Sequence, residues 1–300
     1  MVVVTGATGH TGKVVAEALL AKGEKIRVIG RDAGRLQPFV QNGAEAVVGS
    51  ADNPASIEKA FEGATAAFLM IPPTMEKPSF RVFQDQVSDA YAAVITKARV
   101  PYVVTLSSIG ADQSEKVGPV VGLHNLEQKM NGIAGLNALH LRPAGFMENL
   151  FMSIEPMKSM HMLPGPLKGE VAYPMIAAKD IGNYAAERLH ARDFTGNGVQ
   201  ELHGERDISM KEVATIVGNA IGKPKLSYMQ VPFMMLEPAM VQNGMSKDIA
   251  ALLVEMWKST NSGVMKPLEP RNEKNTTPTS IERFVTEVFA PAYLAMAAKA

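Results

Sequence analysis

Short apolar runs alternate with helix-spaced apolar positions along the first half of the chain. Val2 to Thr5 reads as a short strand, apolar on both faces. Val14, Val15, Ala18 and Leu19 then recur at helical spacing, and Gly23 stops that helix. Ile26 to Ile29 predicts a second strand. A short polar helix carrying Leu36 and Phe39 leads to a third strand over Ala44 to Val48. Ala55 to Phe61 reads as helix, and Ala66 to Ile71 as a fourth strand ended by Pro72 and Pro73. A long helix over Phe80 to Ala98 precedes a fifth strand, Tyr102 to Ser107. Leu123 to Met130 is helical and Ala138 to Leu141 is a sixth strand. These strands are continuously apolar, so helices must cover both faces of the sheet. The pattern predicts an α/β fold built on a doubly wound parallel sheet.

The rhythm breaks after Arg142-Pro143. Phe146 to Met162 is apolar and Met-rich, Asp180 is placed to cap a helix through Leu189, and Val199 to His203 reads as a strand. Ser209-Met210-Lys211-Glu212 has the form of a capping box that opens a helix to Ile221. Thr260 to Ser280 is a long polar loop, a kind that is usually functional or mobile. Thr279-Ser280-Ile281-Glu282 caps a last helix. The expected division is one unit over residues 1–145 and 176–224 and a second over 146–175 and 225–300.

The turn after the first strand carries the first chemical signal. Gly6, Gly9 and Gly12 stand three apart, after a strand and at the start of an apolar helix. Gly6 permits a positive φ, Gly9 lets backbone approach an anion, and Gly12 lets the helix pack on the strand. Amides near Thr8, His10 and Thr11 then point at a pyrophosphate, aided by the helix dipole. This is the context that turns a glycine triplet into a dinucleotide site. Which dinucleotide depends on the end of the second strand. Arg31 comes first there and suits a 2′-phosphate, which favours NADP(H) over NAD(H); the acid that NAD(H) wants, Asp32, follows it. Asp52, after the third strand, is placed either to accept from an adenine amino group or to cap the helix over 55–61. Ser107 and Ser108 close the fifth strand, where open α/β sheets bind ligands.

Composition narrows the field. Thirty basic and thirty acidic residues cancel, so no electrostatic footprint for nucleic acid exists. The chain has no cysteine, which removes thiol catalysis and thiolate metal sites. Its six histidines show no metal-ligand spacing, so no metal is expected. No apolar run is long enough to span a membrane. A strand that begins at the first residues leaves no room for a leader, and a cytoplasmic protein is expected. Gly-x-Ser-x-Gly is absent, which argues against a hydrolase, and Gly12-Lys13 is followed by Val14, so the turn is no P-loop.

The fingerprint Thr5-Gly6-Ala7-Thr8-Gly9-His10-Thr11-Gly12 resembles that of the atypical short-chain dehydrogenases of the NmrA-like group. Pro72-Pro73, Leu106-Ser107-Ser108-Ile109-Gly110-Ala111 and His124-Asn125-Leu126-Glu127 are similar too. So is Leu141-Arg142-Pro143 followed by Phe146-Met147-Glu148-Asn149. The resemblance runs over nearly the whole chain, to Thr277-Pro278-Thr279-Ser280-Ile281-Glu282. It implies that residues 1–145 and 176–224 form a dinucleotide-binding Rossmann domain, that residues 146–175 and 225–300 form a smaller α+β C-terminal substrate or lid lobe, and that NADP(H) is preferred. Ile71, Pro72 and Pro143 complete the candidate cofactor contacts. Members of the group divide in function. Some reduce quinones or dyes with NADPH, and others sense the dinucleotide and regulate a protein partner.

Typical short-chain dehydrogenases carry Tyr-x-x-x-Lys. None of the six tyrosines here has lysine four positions on, and the corresponding stretch is Gly122-Leu123-His124-Asn125-Leu126-Glu127. Hydride addition to an isolated carbonyl makes a localised alkoxide, for which a positioned acid contributes about 10²- to 10⁴-fold. A quinone spreads the charge over a ring, and a cationic dye simply loses it. Such acceptors need position and an apolar pocket more than an acid. The missing tyrosine thus points to a quinone-like or conjugated acceptor, a small apolar or aromatic molecule. His124 is the candidate proton donor, with Glu127 three residues on to orient it; the same two residues also suit an ordinary helix start. Phe146, Asn149 and Met152 are the candidate substrate pocket. Met157, Met160, Met229, Met234 and Met235 either fill core or line an adaptable pocket. A homodimer and a regulatory protein partner both remain open.

Overall fold

The computed structural model describes residues 1–297. Strand and helix alternate from the start: β1 (Val2–Thr5), α1 (His10–Ala21), β2 (Ile26–Gly30), α2 (Ala33–Gln41), β3 (Glu45–Val48), α3 (Pro54–Phe61), β4 (Ala66–Leu69), α4 (Phe80–Ala98), β5 (Tyr102–Leu106), α5 (Val120–Asn131) and β6 (Asn137–Pro143). There follow β7 (Gly145–Phe146), a 3-10 segment (Met147–Ser153), α6 (Ile154–Met160), β8 (Leu163–Gly165), β9 (Ala172–Ile176), α7 (Ala178–Ala191), β10 (Asn197–Leu202), β11 (Asp207–Ser209) and α8 (Met210–Ala220). The chain continues through β12 (Tyr228–Gln230), α9 (Phe233–Gln242), α10 (Lys247–Ser262), α11 (Ile281–Phe284), a π-helical turn (Val285–Phe289) and α12 (Ala290–Ala297).

Seven strands form one parallel sheet in the order β3-β2-β1-β4-β5-β6-β10. The order reverses beside β1, which puts the glycine turn at the topological switch point. Alternate side chains of β1 go to opposite faces. Val2 and Val4 join a core with Val15 and Leu19 of α1 and with Ile181 and Leu189 of α7. Val3 joins the other face, with Ile57 of α3, Tyr91 of α4 and Leu126 of α5. The expected doubly wound sheet is therefore present. Only the edge strands β3 and β10 have exposed positions, because each has a neighbour on one side only.

A second unit has its own sheets, β11-β9-β7 and β12-β8, and its own core around Met147, Met157, Ile208, Val213 and Phe289. Its helix α8 buries Met210, Val213, Ala214 and Val217 there, so residues 210–220 pack with the smaller unit and not with the large sheet. In the other direction, Ile249 of α10 sits in the core of the large sheet.

Capping also differs in places. Asp180 lies inside the first turn of α7, after Ala177 at the N-cap, and accepts from the backbone and hydroxyl of Thr279 at 2.9 and 2.7 Å. Asn53, not Asp52, caps α3, accepting from the Ser56 amide at 3.1 Å. Ser209 takes its expected N-cap place, and within the stretch 279–282 it is Ser280 that caps α11 while Thr279 bonds Asp180. Among the described residues no helix is long and apolar enough to cross a membrane.

Candidate functional site

The glycine turn is built as a cradle. Gly6 has φ +65°, where an L side chain is strained, and a Cβ at Gly12 would collide with the Gly6 carbonyl. The Gly9 amide donates to that carbonyl at 2.9 Å, and the Lys13 amide bonds back to Gly9 at 3.0 Å. No side chain caps α1, whose N-cap is Gly9. The amides of His10, Thr11 and Gly12 are thereby left for an anion at a positive helix end. These features fit a pyrophosphate. His10 is exposed, Thr8 half-buried, and Thr11 buried at the turn's floor.

At the end of β2, the two acidic and basic candidates separate. Asp32 caps α2: its Oδ1 accepts from the amides of Gly34 at 2.8 Å and Arg35 at 3.2 Å. A carboxylate so committed is turned into its own helix. Arg31 is exposed and, among the described residues, has no hydrogen-bond or ion-pair partner. Arg35, which sequence reasoning missed, donates to the Thr8 carbonyl at 2.6 Å and so stands over the glycine turn. A signal for it existed. A cation in the first turn of a helix opposes the dipole and needs another acceptor.

Asp52 is half-buried beside Ser50, whose hydroxyl it accepts, and Lys77, 3.3 Å away. The Ser50 hydrogen bond holds its carboxyl below the usual carboxylate range; burial opposes this and Lys77 adds to it. Ile71 is buried and Pro72 half-buried at the end of β4. The Tyr91 hydroxyl supports this end by donating to the Met70 carbonyl at 2.9 Å.

Between β5 and β6 lies a buried polar group. Glu127 is 1% exposed and receives the Ser107 hydroxyl at 2.5 Å and Arg142 Nε and Nη2 at 3.0 and 2.6 Å. Burial works most strongly against the charge on Arg142, but the Glu127 hydrogen bonds together with the charges of Glu127, Asp112 and Glu201 outweigh it and push the guanidinium pKa up. This corrects the expected pairing of Glu127 with His124. The two share a helix, yet His124 Nδ1 bonds the Ala111 carbonyl at 2.8 Å. A carbonyl only accepts, so Nδ1 carries the proton and Nε2 is the atom free for a ligand. Ser107 is also committed, at 4% exposure, whereas Ser108 is half-buried with its hydroxyl on the Ile109 carbonyl at 2.9 Å. The Pro143 carbonyl is taken by the Ile109 amide at 3.1 Å, which knits the ends of β5 and β6 together.

The candidate pocket residues lie beyond β6. Phe146 is half-buried against the sheet core, Asn149 is exposed and Met152 is 63% exposed. Between them Glu148 takes the Ala178 amide with both oxygens at 3.0 Å, and burial raises its pKa. His10 stacks on Phe151 at 6.2 Å, which joins the glycine turn to this segment. The methionines divide: Met157 is wholly buried core, Met229 half-buried, and Met160, Met234 and Met235 are exposed.

The family model of the NmrA-like family matches residues 1–285. The chain belongs to this family. Among relatives of this NmrA-like chain, the (4-alkanoyl-5-oxo-2,5-dihydrofuran-3-yl)methyl phosphate reductase of Streptomyces griseus is 24% identical over 224 residues, 75% of each chain. Among solved structures, the triphenylmethane reductase of Citrobacter sp. complexed with NADP(H) has a TM-score of 0.76 at 18% identity, covering 96% of this chain and 99% of that one. The NADPH-dependent quinone oxidoreductase of Escherichia coli complexed with NADPH has a TM-score of 0.72 at 20% identity, covering 96% and 100%. At these identities the likeness is one of fold.

Proposed function

We propose that this NmrA-like chain is an NADPH-dependent reductase that passes hydride to a quinone-like or other conjugated small molecule. The observation that carries the reading is the division of labour after β2: Asp32 is spent as a helix cap, Arg35 reaches the Thr8 carbonyl of the glycine turn, and Arg31 stays exposed at the strand end. That arrangement suits a 2′-phosphate better than a free ribose hydroxyl. The names of the Citrobacter and Escherichia coli proteins support it, since both were solved with the phosphorylated dinucleotide.

In this reading the amides of residues 10–12 hold the pyrophosphate and the ends of β4, β5 and β6 border the nicotinamide half. A bound NADPH supplies the hydride. His124, held through Nδ1 by the Ala111 carbonyl, offers Nε2 to the acceptor's oxygen as the hydrogen-bonding group nearest the developing charge. Phe146, Asn149 and Met152 position the flat acceptor. No Tyr-x-x-x-Lys acid takes part.

The test is NADPH oxidation with a panel of quinones and of azo and triphenylmethane dyes. Turnover that prefers NADPH to NADH is expected, with His124→Ala slowing it at least tenfold for quinones. Arg31→Ala combined with Arg35→Ala should weaken NADPH far more than NADH. Tight nucleotide binding with no turnover on any acceptor would overturn the enzyme and leave a dinucleotide-sensing regulator.

A further inference from the structure

The turn after β3 is tied down from three sides. The Gly49 amide donates to the Gly30 carbonyl at 2.9 Å, which sets the turn beside the end of β2 and Arg31. Ser50 donates to Asp52 Oδ1 from within the turn. Lys77 reaches Asp52 Oδ2 from a different loop, the one between β4 and α4, at 3.3 Å. The ammonium of Lys77 is itself fixed, 5.1 Å from the centroid of the buried Phe83 ring. Asp52 thus has one oxygen held by its own turn and the other by a neighbouring loop, and its orientation is set. The side chains are 45% and 25% exposed, so the pair contributes little to stability. Its effect is geometric: it ties the turn after β3 to the loop after β4, and the 25% exposed carboxylate, a pure acceptor, keeps lone pairs beyond those two bonds.

We propose, resting on the coenzyme reading above, that Lys77 is a positioning residue of an adenosine subsite: it holds the Asp52 carboxylate to accept the exocyclic amino group of adenine. The chemistry selects the base. Adenine presents an amino donor at this edge, whereas hypoxanthine presents a carbonyl oxygen, which would oppose the carboxylate. Sites built around one hydrogen bond reject a partner that leaves it unmade.

Calorimetry with oxidised NADP and with its hypoxanthine (deamino) analogue tests this without any turnover. The unaltered protein should bind the adenine form at least tenfold more tightly. Lys77→Met should narrow that ratio at least threefold, Lys77→Arg should restore it, and unchanged urea midpoints should show that both variants are folded. Asp52→Asn should abolish the ratio, and adding Lys77→Met to it should change the ratio no further. The inference is overturned if Lys77→Met leaves the ratio unchanged, or if it weakens both nucleotides equally, as a plain electrostatic contact would. Should the unaltered protein bind neither nucleotide, the coenzyme reading itself fails and takes this one with it. Binding with an unaltered ratio in the variants sinks only the role of Lys77.

Discussion

Replacing Glu127 by leucine should unfold the protein more readily, not merely slow it. The carboxylate has three short hydrogen bonds, to Ser107 and twice to Arg142, and its partner Arg142 is only 8% exposed. Leucine would leave a guanidinium buried without its counter-charge, a loss of about 3–5 kcal/mol. A chain of this length has an m-value of about 3 kcal/mol/M in urea, so the midpoint should fall by about 1–2 M. The same physics predicts partial rescue. Glu127→Leu with Arg142→Leu removes both charges, and an apolar pair of similar volume is often no less stable than the ion pair. The double variant should therefore recover more than half of the lost stability. The cycle is read by urea denaturation of the two single variants and the double variant. If Glu127→Leu costs less than about 1 kcal/mol, or if the two losses simply add, the pair is not the anchor described here. A Glu127→Gln protein that keeps its midpoint and loses all turnover would return Glu127 to the reacting atoms.

Three further outcomes follow from the same geometry. Asp32→Ala should cost about 1 kcal/mol through loss of the α2 cap. Asp32→Ser should keep the cap and leave the ratio of NADPH to NADH affinity unchanged in fluorescence titrations; a severalfold shift would show that Asp32 holds the ribose instead. Gly12→Ala drives a methyl into the Gly6 carbonyl, and nucleotide affinity should fall at least tenfold by calorimetry, with retained affinity refuting the cradle. Burial lowers the His140 pKa from its ordinary 6.5, with Glu127 opposing and Arg142 assisting. The folded state thus binds this proton less readily than the unfolded chain. The stability it contributes is full above pH 6.5 and is lost as pH falls toward the folded pKa. Urea midpoints from pH 8 to 5 should decline less in His140→Gln than in the unaltered protein, and parallel declines would assign the acid sensitivity elsewhere.

Periodicity exposed the fold because each strand of the large sheet is short, apolar and followed by a helix with one apolar stripe. Local spacing was much less informative about which polar groups meet. His124 and Glu127 are three apart on one helix, and that distance permits contact. What decides is tertiary: Arg142 arrives from β6 and Ser107 from the end of β5, while Ala111 draws the imidazole away. Asp180 shows the same effect. Its place before an apolar stripe suggests a cap, yet its oxygens are taken by Thr279, ninety-nine residues on. Arg35 and Lys77 went unnoticed for a related reason, since each acts on a loop far from its own.

The long segment after α10 carries this reasoning to its end. Length and polarity mark residues 260–280 as functional or mobile, but α10 runs on to Ser262, and beyond it polarity means anchorage. Buried Glu201 accepts the amides of Leu268 and Glu269 at 3.0 and 3.1 Å. Arg271 binds the Gly204 carbonyl and Asp207, the His203 amide donates to the Asn275 carbonyl at 2.7 Å, and Asp180 holds Thr279. The backbone at Leu268, Glu269 and Asn275 and the side chains of Arg271 and Thr279 are thus spent on Glu201, His203, Gly204, Asp207 and Asp180, while Lys266, Glu273 and Lys274 stay exposed. The start of the strap then packs Met265 against Gly110, next to the carbonyl that fixes His124. A loop pinned at so many points is held fast against the carboxyl end of β10, beside β11 and the start of α7.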